Sequence, residues 1–225
     1  DLVEAASSLQ AKKSASKSPE RSPVPQRTRH NVRRTRATIK IQEGCDQICS
    51  YCIVPKVRGR ERNISPAHII EQINRYTTEG FKEVVLTGTQ LGTYGLNLKG
   101  LSLSNLLADI LEQTSVPRIR VSSLQPQEIT ESLLEIWKDR RMCPHFHMPL
   151  QSGCDSILKR MRRRYSSSEY AEAVGKVRRS VDGATVTADI IAGFPGETEE
   201  DFQQSLSFAA TMEFADMHIF PYSVR

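Results

Sequence analysis

Three cysteines fall within eight residues, in the segment Gly44-Cys45-Asp46-Gln47-Ile48-Cys49-Ser50-Tyr51-Cys52. The spacing is C-x3-C-x2-C. Thiolates are soft ligands, and three of them on one tight loop can hold a soft metal centre. Structural zinc takes four ligands in a closed tetrahedron, and ferredoxin clusters take four cysteines. No fourth cysteine stands nearby, because Cys143 and Cys154 lie far downstream. Two centres remain open. One is a four-iron cube with one iron left free for a small molecule; the other is a zinc ion completed by His145 or His147. The asymmetric spacing, unlike the repeated C-x2-C pairs of zinc modules, favours the first. Five cysteines in 225 residues are too few for a disulfide-built scaffold, and their clustering predicts a reducing compartment, the cytoplasm. Cys143 and Cys154, set among apolar residues, read as buried inert thiols.

The cysteine segment directly follows a short β run, Thr38-Ile39-Lys40-Ile41. Beyond it Ser65-Pro66 opens a helix, serine as N-cap and proline as first helical residue, running through Ile69, Ile70, Ile73 and Tyr76 to Gly80. Further strands are expected over residues 83–86, 118–121, 145–150, 185–191 and 215–220. Helices are expected over 104–113, 128–138 and 199–212, with a broken helical region over 155–181. Six strands alternating with helices predict a parallel α/β domain over residues 37–225 with right-handed crossovers. The strands fill an open doubly wound sheet or curl into part of a barrel. In either case ligands sit beyond the strand C-terminal ends. The unusual residues cluster at those ends: Glu43-Gly44-Cys45, Thr87-Gly88-Thr89, Ser122-Ser123, Gln151-Ser152-Gly153, Gly193-Phe194-Pro195-Gly196 and Pro221-Tyr222-Ser223.

The charge is unevenly divided. Residues 1–40 hold ten Lys and Arg against three Asp and Glu, a net +7, while the remainder carries −2. Residues 11–36 are Ser, Pro, Lys and Arg with almost no large apolar side chain, too little to offset the entropy of ordering. Residues 1–36 are therefore expected to be the end of an upstream domain and a flexible basic linker suited to a polyanion or simply solvated. No run of about eighteen apolar residues exists for a membrane span, and the start lacks the basic and apolar regions of a signal peptide. The absence of an initiator methionine points to a processed chain or a fragment. Arg58, Arg60 and Arg62 alternate, so an extended chain puts all three on one side, facing phosphates or making salt bridges. Lys159-Arg160-Met161-Arg162-Arg163-Arg164 ends a helix, where cations oppose the dipole; a structural role comes first and an RNA-facing one second. His145 and His147 share one strand face, as packing, a polar interior or a metal site would each require.

C-x3-C-aromatic-x-C after the first strand resembles the radical S-adenosylmethionine superfamily. Lys40 through Cys45, Ile53-Val54-Pro55 and Arg58 through Arg62 resemble its methylthiotransferase family more closely. Leu86-Thr87-Gly88 with Tyr94-Gly95, Pro149 through Gly153, and Ile191 through Thr198 follow in the same order. Tyr94-Gly95 and Ser122-Ser123-Leu124-Gln125-Pro126 resemble the branch acting on threonylcarbamoyladenosine in tRNA. The resemblance spans about residues 36–225. It implies a parallel (βα)6 partial TIM barrel with a [4Fe-4S] cluster on Cys45, Cys49 and Cys52, and S-adenosylmethionine chelating the open iron. One-electron cleavage of S-adenosylmethionine then yields the radical that takes a hydrogen from the target carbon. Tyr51 is expected against the adenine edge, Thr87 and Gly88 at the methionyl amino group, and Gln151 and Ser152 at the ribose. Asp189, Ile191 and Gly193 fall where the superfamily packs adenine, although many members have glycine in place of Asp189. The implied reaction inserts a methylthio group at C2 of N6-threonylcarbamoyladenosine 37 in tRNA; alternatives are isopentenyladenosine or a ribosomal protein aspartate. A rival of another class is a non-catalytic zinc or iron-sulfur RNA-binding module. The implied partners are tRNA and a flavodoxin- or ferredoxin-type electron donor, with no membrane. Full-length members carry a second [4Fe-4S] cluster in an upstream domain and a small RNA-binding domain downstream.

Overall fold

The computed structural model of the chain describes residues 35–96 and 100–224. The linker expected over residues 1–36 thus lies, apart from its last two positions, outside the described residues. β1 (Arg36–Lys40) alternates exposed and buried residues, with Ala37 and Ile39 inward. Next come a two-residue strand β2 (Gln42–Glu43), the short helix α1 (Val54–Arg58) and β3 (Arg62–Asn63), which pairs antiparallel with β2. α2 (Pro66–Thr78) leads to β4 (Glu83–Thr87), which pairs in parallel with β1 from Arg36 opposite Glu83 to Lys40 opposite Thr87. α3 (Leu103–Gln113) leads to β5 (Arg118–Val121), parallel to β4. Single parallel bridges, Ile119 to Met142 and Ser123 to His147, carry the order past α4 (Glu131–Leu134) to β6 (His145–His147). α5 (Asp155–Arg160), α6 (Ser167–Ser180), β7 (Thr185–Ala192), α7 (Glu199–Thr211) and β8 (Asp216–Pro221) complete the chain, with β6, β7 and β8 parallel in that order. Six parallel strands in chain order, helices between them, make the expected partial TIM barrel.

Strand residues such as Ile39, Leu86, Ile119, Phe146 and Val186 meet Ile69, Ile73, Leu106, Ile110 and Val177 from the helices in one continuous core. Most of the helices start from side-chain caps just past the strand C-terminal loops. Ser102 accepts from Asn105 N, Thr130 from Leu133 N, and Ser166 and Thr198 form reciprocal boxes with Glu169 and Asp201. These caps fix where each helix begins and leave the preceding loops to build one face of the barrel.

Three expected elements differ in extent. The helix over 128–138 is broken into a 3-10 turn (Pro126–Glu128), α4 and a second 3-10 turn (Glu135–Lys138), because Glu128 turns back onto Gln125 N and Thr130 restarts the helix. The fourth strand stops at His147 instead of reaching residue 150, since Pro149 has no N–H and Gln151 takes a left-handed φ of 70°. The broken helical region resolves into α5 and α6, separated where Arg162 takes φ 58°. Among the described residues, no helix is long and apolar enough to cross a membrane.

Candidate functional site

The cysteine loop fills the interval between β2 and β3 and is fastened at both ends and at its tip. Gly44 takes φ 78°, and a Cβ there would run into the Arg60 carbonyl, so only glycine lets the two sides of the loop approach. Cys45 N donates to Gly59 O at 3.2 Å. At the tip Ser50 N donates to Met161 O and Ser50 Oγ to Arg160 O, anchoring the loop to the end of α5. All three cysteines are free and half-buried. Gln47 sits between two of them: its N–H donates to Cys45 Sγ at 3.3 Å, and its Oε1 lies 3.8 Å from Cys49 Sγ. Burial pushes the Cys45 thiol up, with neighbouring Cys49 and Cys52 adding to the rise.

Two polar braces, both missed in the sequence, hold the loop against the barrel. Gln42 is fully buried; its Oε1 accepts from Thr89 N and Gln90 N at the end of β4, while its Nε2 donates to Gly44 O at 2.9 Å. Gln90 then meets Cys45 Sγ through Oε1 at 3.3 Å and donates from Nε2 to Glu128 at 3.0 Å. Burial raises the Glu128 carboxyl above its ordinary value. On the other side Arg163 turns inward from the basic run and donates to Cys49 Sγ, Tyr51 Oη, Gln125 Oε1 and Tyr165 Oη at 3.1–3.4 Å. Burial lowers its proton affinity, but the groups of Tyr165, Tyr51 and Cys49 around it outweigh that and hold it charged. Nothing in six successive positions with five cations marks which one points inward; the left-handed turn at Arg162 decides it.

Cys49, Tyr51 and Cys52 line a cavity of about 300 Å³ with Ile48, Pro55 and Tyr222. Tyr51 and Cys52 also face a cavity of about 280 Å³ with Gln151, Asp189, Ile191 and Phe220. Four expected cofactor residues, Tyr51, Gln151, Asp189 and Ile191, thus meet at one wall beside the cysteines. Gln151 is bound into the sheet, its N donating to Asp189 O and its O accepting from Ile191 N. Ser152 is fully buried, and its hydroxyl accepts from Cys154 N, so it serves the backbone of its own loop. Thr87 Oγ1 donates to Ile39 O, and Gly88 lies packed on Gln42 and Leu91 at the end of β4. Gly193, at φ 75°, stands in an open turn with its N–H on Glu197.

Asp189 is flanked by two histidines. His147 Nε2 meets its Oδ2 and His218 Nδ1 its Oδ1, both at 3.1 Å, and His147 Nδ1 reaches Thr187 Oγ1 at 2.9 Å. Burial works against the carboxylate, yet the His147 and His218 contacts hold it below the usual range. His145 Nε2 also faces Thr187 Oγ1. The two histidines therefore build a polar barrel interior. Cys143 and Cys154 are buried, as expected. The expectation that Arg58, Arg60 and Arg62 share one side of an extended chain fails: Arg58 ends α1, Gly59 reverses the chain at φ 74°, and only Arg62 lies in β3. Arg60 instead pairs with Asp46 at 3.4 Å and Arg62 with Glu43 at 3.8 Å.

Among the described residues, no three His, Cys, Asp or Glu side chains gather closely enough for a single metal ion. Three free thiols share one glycine-pinned loop, with the Arg163 guanidinium beside Cys49. The pattern of the radical SAM superfamily matches residues 39–209. The chain is 41% identical over 194 residues to the threonylcarbamoyladenosine tRNA methylthiotransferase MtaB of Bacillus subtilis, covering 85% of this chain and 43% of that protein. It is 40% identical over 192 residues to the tRNA-2-methylthio-N(6)-dimethylallyladenosine synthase of Carboxydothermus hydrogenoformans, covering 84% and 44%. The chain thus spans less than half the length of these curated relatives. Among solved structures, the radical S-adenosylmethionine methyltransferase TsrM of Kitasatospora setae, with cobalamin and a [4Fe-4S] cluster bound, matches in fold (TM-score 0.68, 16% identity, 82% of this chain and 36% of that one). Methylornithine synthase does so at TM-score 0.58 and 15% identity over 85% of this chain and 55% of that one. With these strands, this loop and this match, the chain belongs to the radical SAM superfamily.

Proposed function

We propose that the chain is the catalytic domain of a tRNA methylthiotransferase that inserts a methylthio group at C2 of N6-threonylcarbamoyladenosine 37. The observation that carries this reading is the 41% identity to MtaB over nearly the whole described barrel, cysteine loop included. The superfamily implies S-adenosylmethionine and a [4Fe-4S] cluster; bound together they supply one-electron chemistry at an unactivated C–H bond. Cys45, Cys49 and Cys52 hold the cluster. Tyr51, Gln151, Asp189 and Ile191 wall the neighbouring space for S-adenosylmethionine, and Thr87 and Gly88, at the end of β4, are assigned to its methionyl amino group. Tyr51, Ile191 and Tyr222 pack against the buried cluster that contains Phe194 and give this space an apolar side. Arg58, Arg60 and Arg62 contact tRNA phosphates, Arg60 and Arg62 exchanging their exposed pairings with Asp46 and Glu43 for them, and a flavodoxin- or ferredoxin-type donor supplies electrons. A second [4Fe-4S] cluster and a small RNA-binding domain are expected in the upstream and downstream parts that full-length members of the family carry.

A second reading, methylthiolation of dimethylallyladenosine, is favoured by the similarly identical Carboxydothermus relative. Mass spectrometry of tRNA nucleosides from a deletion strain decides between them. Loss of the methylthiolated threonylcarbamoyladenosine supports the proposal; loss of the dimethylallyl nucleoside alone replaces it with the second reading. After anaerobic reconstitution, the chain is expected to bind about four irons and release 5′-deoxyadenosine on reduction. One zinc per chain and no release would refute both readings.

A further inference from the structure

Arg163 is placed in a way that its exposed neighbours Arg162 and Arg164 are not. A non-glycine residue at φ 58° is uncommon and strained, and such positions persist where surrounding structure enforces them. Here that strain at Arg162 delivers the next side chain to the cysteine loop. The Arg163 guanidinium lies over the Tyr165 ring at 4.8 Å. Tyr165 is itself fixed, its hydroxyl lying 2.8 Å from Pro149 O and 2.9 Å from Leu150 O. The fork ends on Cys49 Sγ at 3.4 Å and Gln125 Oε1 at 3.2 Å. Among the described residues Cys45 meets no such cation; its polar neighbours are the Gln47 N–H and the Gln90 amide oxygen.

We propose that Arg163 is the positioning and charge-setting residue of the iron-sulfur centre, donating to the Cys49 thiolate and raising the reduction potential of whatever cluster the loop holds. The inference rests on the reading of Cys45, Cys49 and Cys52 as cluster ligands. Reduction adds negative charge to a cluster, and a nearby fixed cation stabilises the reduced form more than the oxidised one. Hydrogen bonds to ligand sulfur act in the same direction, and both belong to the terms that set such potentials. Arginine suits the task because it stays charged at any working pH and its planar fork grips two acceptors at once, here a thiolate and an amide oxygen. The cluster is in this way poised unevenly, cationic at Cys49 and dipolar at Cys45.

The test is a redox titration of the reconstituted 225-residue chain, followed by electron paramagnetic resonance, with iron content and circular dichroism measured in parallel. At a fixed solution potential, Arg163→Gln is expected to lower the ratio of reduced to oxidised cluster about tenfold, equivalent to 59 mV for one electron. Arg163→Lys, which keeps the charge but loses the fork, is expected to lower it about threefold. Arg164→Gln removes the same charge from an exposed neighbour and is expected to leave the ratio at the wild-type value. If Arg163→Gln fails to load iron, Arg163→Lys carries the decision. A ratio in the Arg163 variants equal to that of Arg164→Gln, with iron content unchanged, overturns the inference. Absence of a cluster in the wild-type chain overturns instead the reading of the cysteines on which it rests.

Discussion

The two halves of the barrel each tie three neighbouring strands together with one acidic residue on the middle strand, but with different partners and at opposite ends. In the first half Glu83, at the start of β4, is reached by Arg36 of β1 at 2.9 Å and by Arg118 and Arg120 of β5 at 3.1 and 2.9 Å. In the second half Asp189, deep in β7, is reached by His147 of β6 and His218 of β8. Arginine is a permanent cation with a rigid fork, whereas the charge of histidine depends on its surroundings. The Glu83 knot lies away from the cysteine loop, on the barrel face where residues serve stability. The Asp189 knot lines the cavity beside Cys52. Burial follows the same division: β1 and β4 sit under α2 and α3, while every residue of β8 is exposed. The first, closed half anchors the cysteine loop, and the second, open half presents Asp189 to the cavity beside Cys52.

The sharpest way to break that comparison is at glycine. Gly44 and Gly193 have nearly the same left-handed φ, 78° and 75°, but a Cβ meets the Arg60 and Gly59 carbonyls at the first and nothing within 4 Å at the second. Backbone strain of about 1–3 kcal/mol attaches to both, and the clash is added only at Gly44. Gly44→Ala is therefore expected to weaken iron retention by at least about tenfold to a hundredfold, read by iron content after reconstitution and desalting, and Gly193→Ala much less. Equal losses would mean that the loop is not held from the closed side. Next in size is Gln42→Leu. It strands Thr89 N, Gln90 N and Gly44 O in the interior, at about 1–3 kcal/mol for each unsatisfied group before relaxation. We expect about 3 kcal/mol lost in urea unfolding, together with loosened iron binding.

The elements of the barrel were legible in the sequence, but its division into two unlike halves was not. The alternation of six strands with helices, the cysteine loop and the place of Thr87, Gln151 and Ile191 at strand ends follow from the hydrophobic pattern, while the barrel order of the strands was implied by the family resemblance. The braces were not legible, for physical reasons. Gln42 and Gln90 are polar residues in polar surroundings of sequence, and their burial arises only when β4 pairs with β1. Arg163 stands in a run of like charges whose inward member is chosen by one backbone dihedral at Arg162. His218 meets Asp189 only because β8 lies in parallel register with β7. Alternation of Arg58, Arg60 and Arg62 misled in the opposite way, since it presumed an extended backbone where Gly59 reverses the chain. Period-based reading locates elements well and fails where a single turn or a long-range pairing decides direction.

The third expectation concerns Glu83, whose side chain is only 10% exposed. Burial opposes its ionisation, but the hydrogen bonds from Arg120 and Arg118 outweigh that and depress its carboxyl below 4.5. A depressed folded-state carboxyl stabilises above the unfolded value, and the contribution is lost as pH falls through the folded value. Glu83→Gln is thus expected to cost about 2 kcal/mol at pH 7, less than a fully buried pair because Arg36 and Arg118 are half exposed. The deficit should shrink when unfolding is measured near pH 3, and a deficit unchanged with pH would refute the charge-based account.

Asp189→Asn should have the smallest effect on stability, and its size decides whether the two knots are equivalent. The Asp189 carboxyl is also depressed, below 3.8, so its contribution has the same sign and disappears in the same direction of pH. Its partners are weaker anchors: His218 is 63% exposed on the open β8 edge, and asparagine keeps an oxygen able to accept from His147. About 0.5–1 kcal/mol is therefore expected at pH 7, from one weakened hydrogen bond. If Asp189→Asn instead costs as much as Glu83→Gln, the open half is as firmly tied as the closed one. Asp189 would then be holding strands together, and its place on the cavity wall would carry no weight for cofactor binding. A small loss of stability combined with weaker S-adenosylmethionine binding by equilibrium dialysis gives the opposite assignment, a polar group maintained at the cavity at the expense of a tighter barrel.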